Sequence, residues 1–203
     1  MITTILFDLY GTLLTLTRDS KPYLKLAKRS RNLNRREALQ LSLVNNCPML
    51  RDYASMIGLE PQKDIKSLED QLQRDLDSAI LFNDALPVLR SLKENGIKTA
   101  LISNLATPYK QVVTELRLDT YFDSIVYSCD FGYAKPDSKI YRHALNEVQS
   151  LPVETIMVGD SYASDVKGPL KLGIKGIQLV RESDSGLRTN CIGSLNEMLG
   201  KVR

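Results

Sequence analysis

Four short polar clusters carry the side chains able to do chemistry, each just past an apolar run or between two of them. Asp8-Leu9-Tyr10-Gly11-Thr12 follows Thr3 to Phe7, and Ser103-Asn104 follows Lys98 to Ile102. Gly159-Asp160-Ser161, with Asp165 close behind, follows Thr155 to Val158, and Lys135-Pro136-Asp137 precedes it. Taken singly, each reads as a turn or a helix cap. Together they supply carboxylates, a cation and hydroxyls at successive strand ends. A carboxylate can attack phosphorus or an activated carbon and leave a covalent intermediate for water to cleave. Asp8, Asp160 and Asp165 in one place make a strongly negative pocket that stays ionised only beside a cation. Magnesium suits carboxylates, retained waters and phosphate oxygens. Lys135 offsets part of the charge and orients Asp8, while Ser103 and nearby backbone N–H groups can donate to a developing oxyanion.

The elements between these clusters must bring them together. The strand-like runs are Thr3 to Phe7, Lys98 to Ile102, Ser124 to Tyr127, Thr155 to Val158 and Lys175 to Val180. Their nearly continuous hydrophobicity predicts strands buried on both faces, as in a parallel sheet covered by helices. Helical periodicity fills the intervals at Ala85 to Asn95, Tyr109 to Arg117, Ser138 to Val148, Ala163 to Leu172 and Gly193 to Leu199. This alternation predicts an α/β fold, with ligands beyond the carboxyl ends of the strands. It is interrupted between about Arg18 and Ile80, where no convincing strand occurs. Helices are expected there over Tyr23 to Arg29, Arg35 to Val44, Met49 to Ile57 and Ile65 to Leu76. The expected organisation is a core of residues 1–15 and 81–203, with a small all-helical cap, residues 16–80, inserted after the first strand.

Composition removes several classes of function. The 203 residues include 27 Lys and Arg against 24 Asp and Glu, a net charge of +3 that does not call for nucleic acid. Three widely separated cysteines, Cys47, Cys129 and Cys191, form neither a CxxC motif nor a disulfide framework, which predicts a reducing cytoplasm. The apolar start reaches Asp8 too soon for a signal peptide or a membrane span. With His143 the sole histidine and in a helix-like stretch, a triad needing an imidazole base has one candidate, and a packing role is expected for it.

The four clusters together resemble the motifs of the haloacid dehalogenase superfamily of hydrolases, over nearly the whole chain. The resemblance implies a Rossmann-like core with a helical cap and a reaction at Asp8 as nucleophile. It implies that Thr12 helps hold the transferring group, that Ser103 and Lys135 are the second-motif hydroxyl and the lysine, and that Asp160 and Asp165 bind magnesium with Asp8 and the Tyr10 backbone carbonyl. Tyr10 stands where phosphatases of this superfamily carry an aspartate that protonates the leaving alcohol. A phenol with a pKa near 10 is a poor base at neutral pH, and general acid–base help is worth about 10² to 10⁴ in rate. Tyrosine here, with Asn104 after Ser103 and Tyr141 beyond Lys135, resembles the metal-independent 2-haloacid dehalogenase branch instead, whose halide needs no proton to leave. Asp160 argues against that branch, which usually has serine there. Three readings remain: a magnesium-dependent phosphatase of a small phosphorylated metabolite, slowed by Tyr10; a 2-haloacid dehalogenase; and a weakly active homologue that binds a ligand or a protein.

Eight Lys or Arg and one acidic residue, Asp19, lie between Arg18 and Arg36. Either they solvate a helix face or some face the pocket and attract an anionic substrate. Arg35 and Arg36 join Ser103, Asn104 and Lys135 as the substrate-binding candidates, with Arg31 and Arg51 as further possibilities. No aromatic interleaving of the kind single-strand binders use accompanies the cluster. Asp137 is expected to cap a helix, Cys129 to be an ordinary buried thiol, and Tyr162 to pack or line the pocket rim.

Overall fold

In a computed structural model, residues 1–60, 63–181 and 190–202 are described. The strands β1 (Thr4–Phe7), β4 (Lys98–Ser103), β5 (Ser124–Tyr127), β6 (Thr155–Gly159), β7 (Lys175–Leu179) and β8 (Cys191–Ile192) form one parallel sheet in the order β5-β4-β1-β6-β7-β8. This is the Rossmann-like α/β architecture. The chain runs outward from β1 through β4 to β5, then returns to lay β6 on the opposite side of β1. A crevice at such a reversal is where open α/β sheets bind ligands.

The two-residue period of a strand splits β1 between two apolar layers. Ile5 and Phe7 pack on one side with Val88, Leu89 and Leu92 of α5 (Ala85–Glu94). Leu6 packs on the other with Ile140, Tyr141, Ala144 and Leu145 of α8 (Ser138–Glu147). Those helical positions recur at spacings of three and four, which lines one face. Asp137 caps α8 by accepting from Lys139 N–H at 2.9 Å, as its place before the helix predicts.

Between residues 16 and 79 the chain forms α1 (Pro22–Ala27), α2 (Arg35–Val44), α3 (Leu50–Met56) and α4 (Ile65–Leu76). A capping box starts α2: the Asn34 side chain accepts from Glu37 N–H and the Glu37 carboxylate accepts from Asn34 N–H, both at 3.0 Å. Two short strands missing from the sequence-based expectation bracket these helices. β2 (Leu14–Leu16) pairs antiparallel with β3 (Ala79–Leu81), so the stretch to Ile80 is not wholly helical. At three residues each they are too short to show alternation. The helix expected over residues 163–172 is instead a wide π turn, Tyr162–Lys167, running into the short α9 (Gly168–Leu170). That turn lets Asp165 fold back, its carboxylate accepting from Ser161 N–H at 3.0 Å. The C-terminal helical stretch is a 3-10 helix, Leu195–Gly200. Among the described residues no helix is long and apolar enough to cross a membrane.

Candidate active site

Asp8 leaves the end of β1, Ser103 ends β4, and Asp160 follows β6, so three strand ends deliver their side chains to one crevice. Lys135 arrives from the segment after α7 (Ser128–Phe131). The side chain of Asn104 fixes that segment, donating to the Lys135 carbonyl and accepting from Lys135 N–H, each at 2.7 Å. The Lys135 ammonium then donates to Asp8 Oδ1 at 2.8 Å and to Asp165 Oδ1 at 2.7 Å. Thr12 donates its hydroxyl to Asp8 Oδ2 at 3.4 Å, so it braces Asp8 from the opposite oxygen.

Two glycines exist because the carboxylates crowd the backbone. Gly11 has φ +82°, and a Cβ there would lie 2.6 Å from Asp160 Oδ2. A Cβ on Gly159 would run into the carboxylate of Asp165. Asp8, Asp160 and Asp165 consequently offer oxygens all within 4.8 Å of one another.

Burial pushes the Asp165 carboxyl up to about 6, with Lys135 opposing and Asp8 adding to the rise. Burial and the charge of Asp8 likewise raise Asp160. Burial works against the charge on Lys135, yet Asp8 and Asp165 outweigh it and hold the ammonium protonated. Three carboxylates and one ammonium leave a deficit of two positive charges. Among the described residues no lysine or arginine forms a salt bridge with Asp160. This donor set, all hard oxygen with two charges uncompensated, fits a divalent cation such as magnesium.

A cavity of about 200 Å³ opens over these groups, its lining including Asp8, Ser103, Asn104, Lys135, Asp160 and Asp165. Tyr10 joins that lining but points its hydroxyl elsewhere, donating to the Tyr109 carbonyl at 3.0 Å. Burial raises the phenol far above its ordinary pKa. A second cavity of about 350 Å³ adjoins the first, sharing Tyr10 and Asn104 and otherwise lined by α1, α2 and the turn after β4.

Arg35 and Arg36 are not brought to the cluster. Both are exposed at the start of α2, whose Leu39 and Leu43 rather than its arginines line the second cavity. Most of the basic stretch is on the surface: Lys21 lies by Asp19, Lys25 donates to Gln71 and Arg29 pairs with Asp64. Arg51 pairs with Glu69. His143 stacks on Phe131 at 4.4 Å, Cys129 is a buried thiol whose pKa burial raises, and Tyr162 is exposed.

Two supports act over long separations, one from Tyr141, whose place beyond Lys135 the sequence marks without showing its partner. Tyr141 donates its hydroxyl to the Ser164 carbonyl, steadying the turn that carries Asp165. Arg181 donates to the Thr12 carbonyl at 2.7 Å while gripping Asp84 with both Nη atoms at 3.0 and 2.9 Å. Their partners lie 23 to 169 residues away, beyond any spacing rule.

A parallel sheet presenting a lysine-braced aspartate and two further carboxylates at its strand ends defines an α/β enzyme-type site. The chain belongs to the haloacid dehalogenase-like hydrolase family, whose family model matches residues 2–173. It is 27% identical over 128 residues to haloacid dehalogenase-like hydrolase domain-containing protein 3 of Homo sapiens, covering 62% of this chain and 51% of that protein. It therefore spans about half the length of that relative. It is 25% identical over 205 residues to a glyceraldehyde 3-phosphate phosphatase of Methanopyrus kandleri, covering 89% and 85% of the two chains. Among solved structures, a HAD phosphatase from Thermococcus onnurineus superposes with TM-score 0.70 at 21% identity over 99% of this chain and 98% of that one, a likeness of fold.

Proposed function

We propose that this chain is a magnesium-dependent phosphohydrolase of small phosphorylated metabolites, with Asp8 as nucleophile. The observation that carries the reading is the two-charge deficit around Asp8, Asp160 and Asp165, which suits a divalent cation together with a phosphate. Asp8, Asp160, Asp165 and the Tyr10 carbonyl would hold magnesium, which when bound supplies charge neutralisation of the phosphate oxygens. The rest is the work of protein groups. Lys135 and Thr12 fix both carboxylate oxygens of Asp8. Ser103 lines the cavity as a donor to the phosphate, and Asn104 acts by holding Lys135. A carboxylate oxygen of Asp8 attacks phosphorus, and the ester oxygen leaves with its electron pair. Water then attacks the phosphorus of the aspartyl phosphate, releasing inorganic phosphate and regenerating Asp8.

Tyr10 supplies no acid in this scheme, because its phenol is bonded to Tyr109. Turnover of alkyl phosphates is accordingly slow. The similarity to the Methanopyrus kandleri phosphatase supports a phosphorylated small molecule as substrate. A cytoplasmic setting agrees with three free cysteines. The test is release of phosphate from para-nitrophenyl phosphate with magnesium; hydrolysis that survives EDTA or Asp8→Asn contradicts the proposal. Tyr10 is also the observation that favours the second reading, a metal-independent 2-haloacid dehalogenase. Halide release from 2-chloropropionate in EDTA would establish that reading instead.

A further inference from the structure

We propose that the cavity beside Tyr10 receives the organic group of the substrate and that this group is an aromatic ring, making phosphate esters of phenols the preferred substrate class. This rests on the phosphohydrolase reading of Asp8 and narrows it.

Position comes first. The cavity shares Tyr10 and Asn104 with the space over Asp8, so it lies next to the acidic site. Its volume of about 350 Å³ is at the small end of ligand pockets, which run from roughly 300 to 1,000 Å³.

The chemistry of the walls decides the occupant. Leu39, Leu43, Leu105 and Ala106 present carbon, and among the described residues no charged side chain lines the space. Three of the polar side chains present are already engaged. The Ser42 hydroxyl donates to the Leu39 carbonyl at 2.8 Å and the Tyr10 hydroxyl to the Tyr109 carbonyl, while the Asn104 amide donates to the Lys135 carbonyl and accepts from the Lys135 N–H. The Tyr23 hydroxyl is buried with no partner among the described residues. A polyol phosphate would bring several hydroxyls here and leave most of them unpaired, which disfavours it. The walls are also aromatic. Tyr10 and Tyr109 meet edge to face at 5.7 Å and 88°, and Tyr23 and Tyr109 are 6.1 Å apart and tilted. A ring of the ligand extends that cluster in the same offset geometry.

Leaving-group chemistry points the same way through a different residue. With no acid at position 10, the ester oxygen must depart unprotonated. A phenol ionises near pH 10, whereas an alkoxide must leave as a base comparable to hydroxide, whose parent water has a pKa of about 15.7. The bond from Asp8 to phosphorus forms as the bond from phosphorus to the phenolic oxygen breaks. The phenolate leaves with the electron pair and takes a proton from solvent. Water then cleaves the aspartyl phosphate, its surplus proton returning to solvent.

The experiment has a binding arm and a turnover arm on the wild-type protein with magnesium. Isothermal titration with phenylphosphonate and methylphosphonate, neither hydrolysable, is expected to show the phenyl compound binding about 10- to 100-fold tighter, the gain from burying one ring. Leu43→Asp is expected to erase that ratio, while circular dichroism reports whether it folds. In the second arm, kcat/KM is measured for phenyl phosphate, glycerol 3-phosphate and acetyl phosphate. Phenyl phosphate is expected to exceed glycerol 3-phosphate by about 100-fold or more, the scale of acid–base help that the phenol does without. Equal affinity for the two phosphonates, or a preference for glycerol 3-phosphate, overturns the aromatic assignment while leaving the phosphohydrolase standing. Phenylphosphonate binding without turnover of any ester overturns the phosphohydrolase reading instead.

Discussion

Lys135→Met tests whether the site is held together by charge. Methionine keeps the apolar length of the side chain and removes the ammonium, whose side chain is 2% exposed and lies 2.8 and 2.7 Å from Asp8 and Asp165. Breaking a buried pair by removing one partner costs about 3–5 kcal/mol, because the other charge stays buried without compensation. Here two carboxylates lose their counter-ion and Asp160 stands nearby, so the upper end of that range is expected, against a total stability of about 5–15 kcal/mol. The assay is urea unfolding followed by far-ultraviolet circular dichroism, in EDTA, at pH 7.5. Two controls follow from the geometry. Magnesium at 100 times its dissociation constant is expected to return about 2.7 kcal/mol if it binds only the folded chain. Lys135→Met with Asp165→Asn is expected to be more stable than Lys135→Met alone, since the second change removes one orphaned charge. A loss under about 1 kcal/mol in EDTA, or a double variant no better than the single one, would refute the electrostatic account.

Three further outcomes are expected. Tyr10→Phe deletes a hydrogen bond to Tyr109 and costs about 1 kcal/mol in urea unfolding. Its kcat stays well within tenfold of the parent, because a true general acid would have supplied about 10² or more; a hundredfold loss would put Tyr10 in the chemistry. Asn104→Ala removes two hydrogen bonds to the Lys135 backbone and is expected to cost about 1–3 kcal/mol and to lower kcat; unchanged kcat would mean that Lys135 needs no such clamp. Burial would raise Asp84, but Arg181, the Leu195 N–H and the Ser194 hydroxyl together hold its carboxyl below the usual range. A depressed carboxylate contributes stability that is complete above the unfolded value near 3.9 and is lost as pH falls through the folded value. Urea midpoints should thus fall more steeply below about pH 4 in the parent than in Asp84→Asn; parallel curves would remove Asp84 from the account.

The clusters at the ends of β1, β4 and β6 were legible in the sequence because an apolar run announces a buried strand and polar residues directly after it have one place to go. Lys135 was legible only through motif order, since no strand end carries it. What escaped the sequence is what long-range packing decides. Leu14–Leu16 and Ala79–Leu81 each look like loop until they meet as a ladder. Residues 162–170 carry helical periodicity, yet Asp165 bonds back to Ser161 and widens the turn. Arg35 and Arg36 looked suited to an anion by charge alone, but they open α2 on an exposed face. The cavity beside Tyr10 draws on the turn after β1, on α1 and α2 and on the turn after β4, and no stretch of sequence contains its pattern.

The ladder between Leu14–Leu16 and Ala79–Leu81 means that the chain departs on its four-helix excursion and returns from it at neighbouring strands, about 4.8 Å apart. Geometrically, residues 17–78 are a detour with a single doorway. Any segment whose two ends meet at that spacing could be spliced there without redirecting β1 or moving Asp8, Lys135, Asp160 or Asp165. The side chains lining the cavity beside Tyr10 could then differ while Asp8, Lys135, Asp160 and Asp165 kept their places.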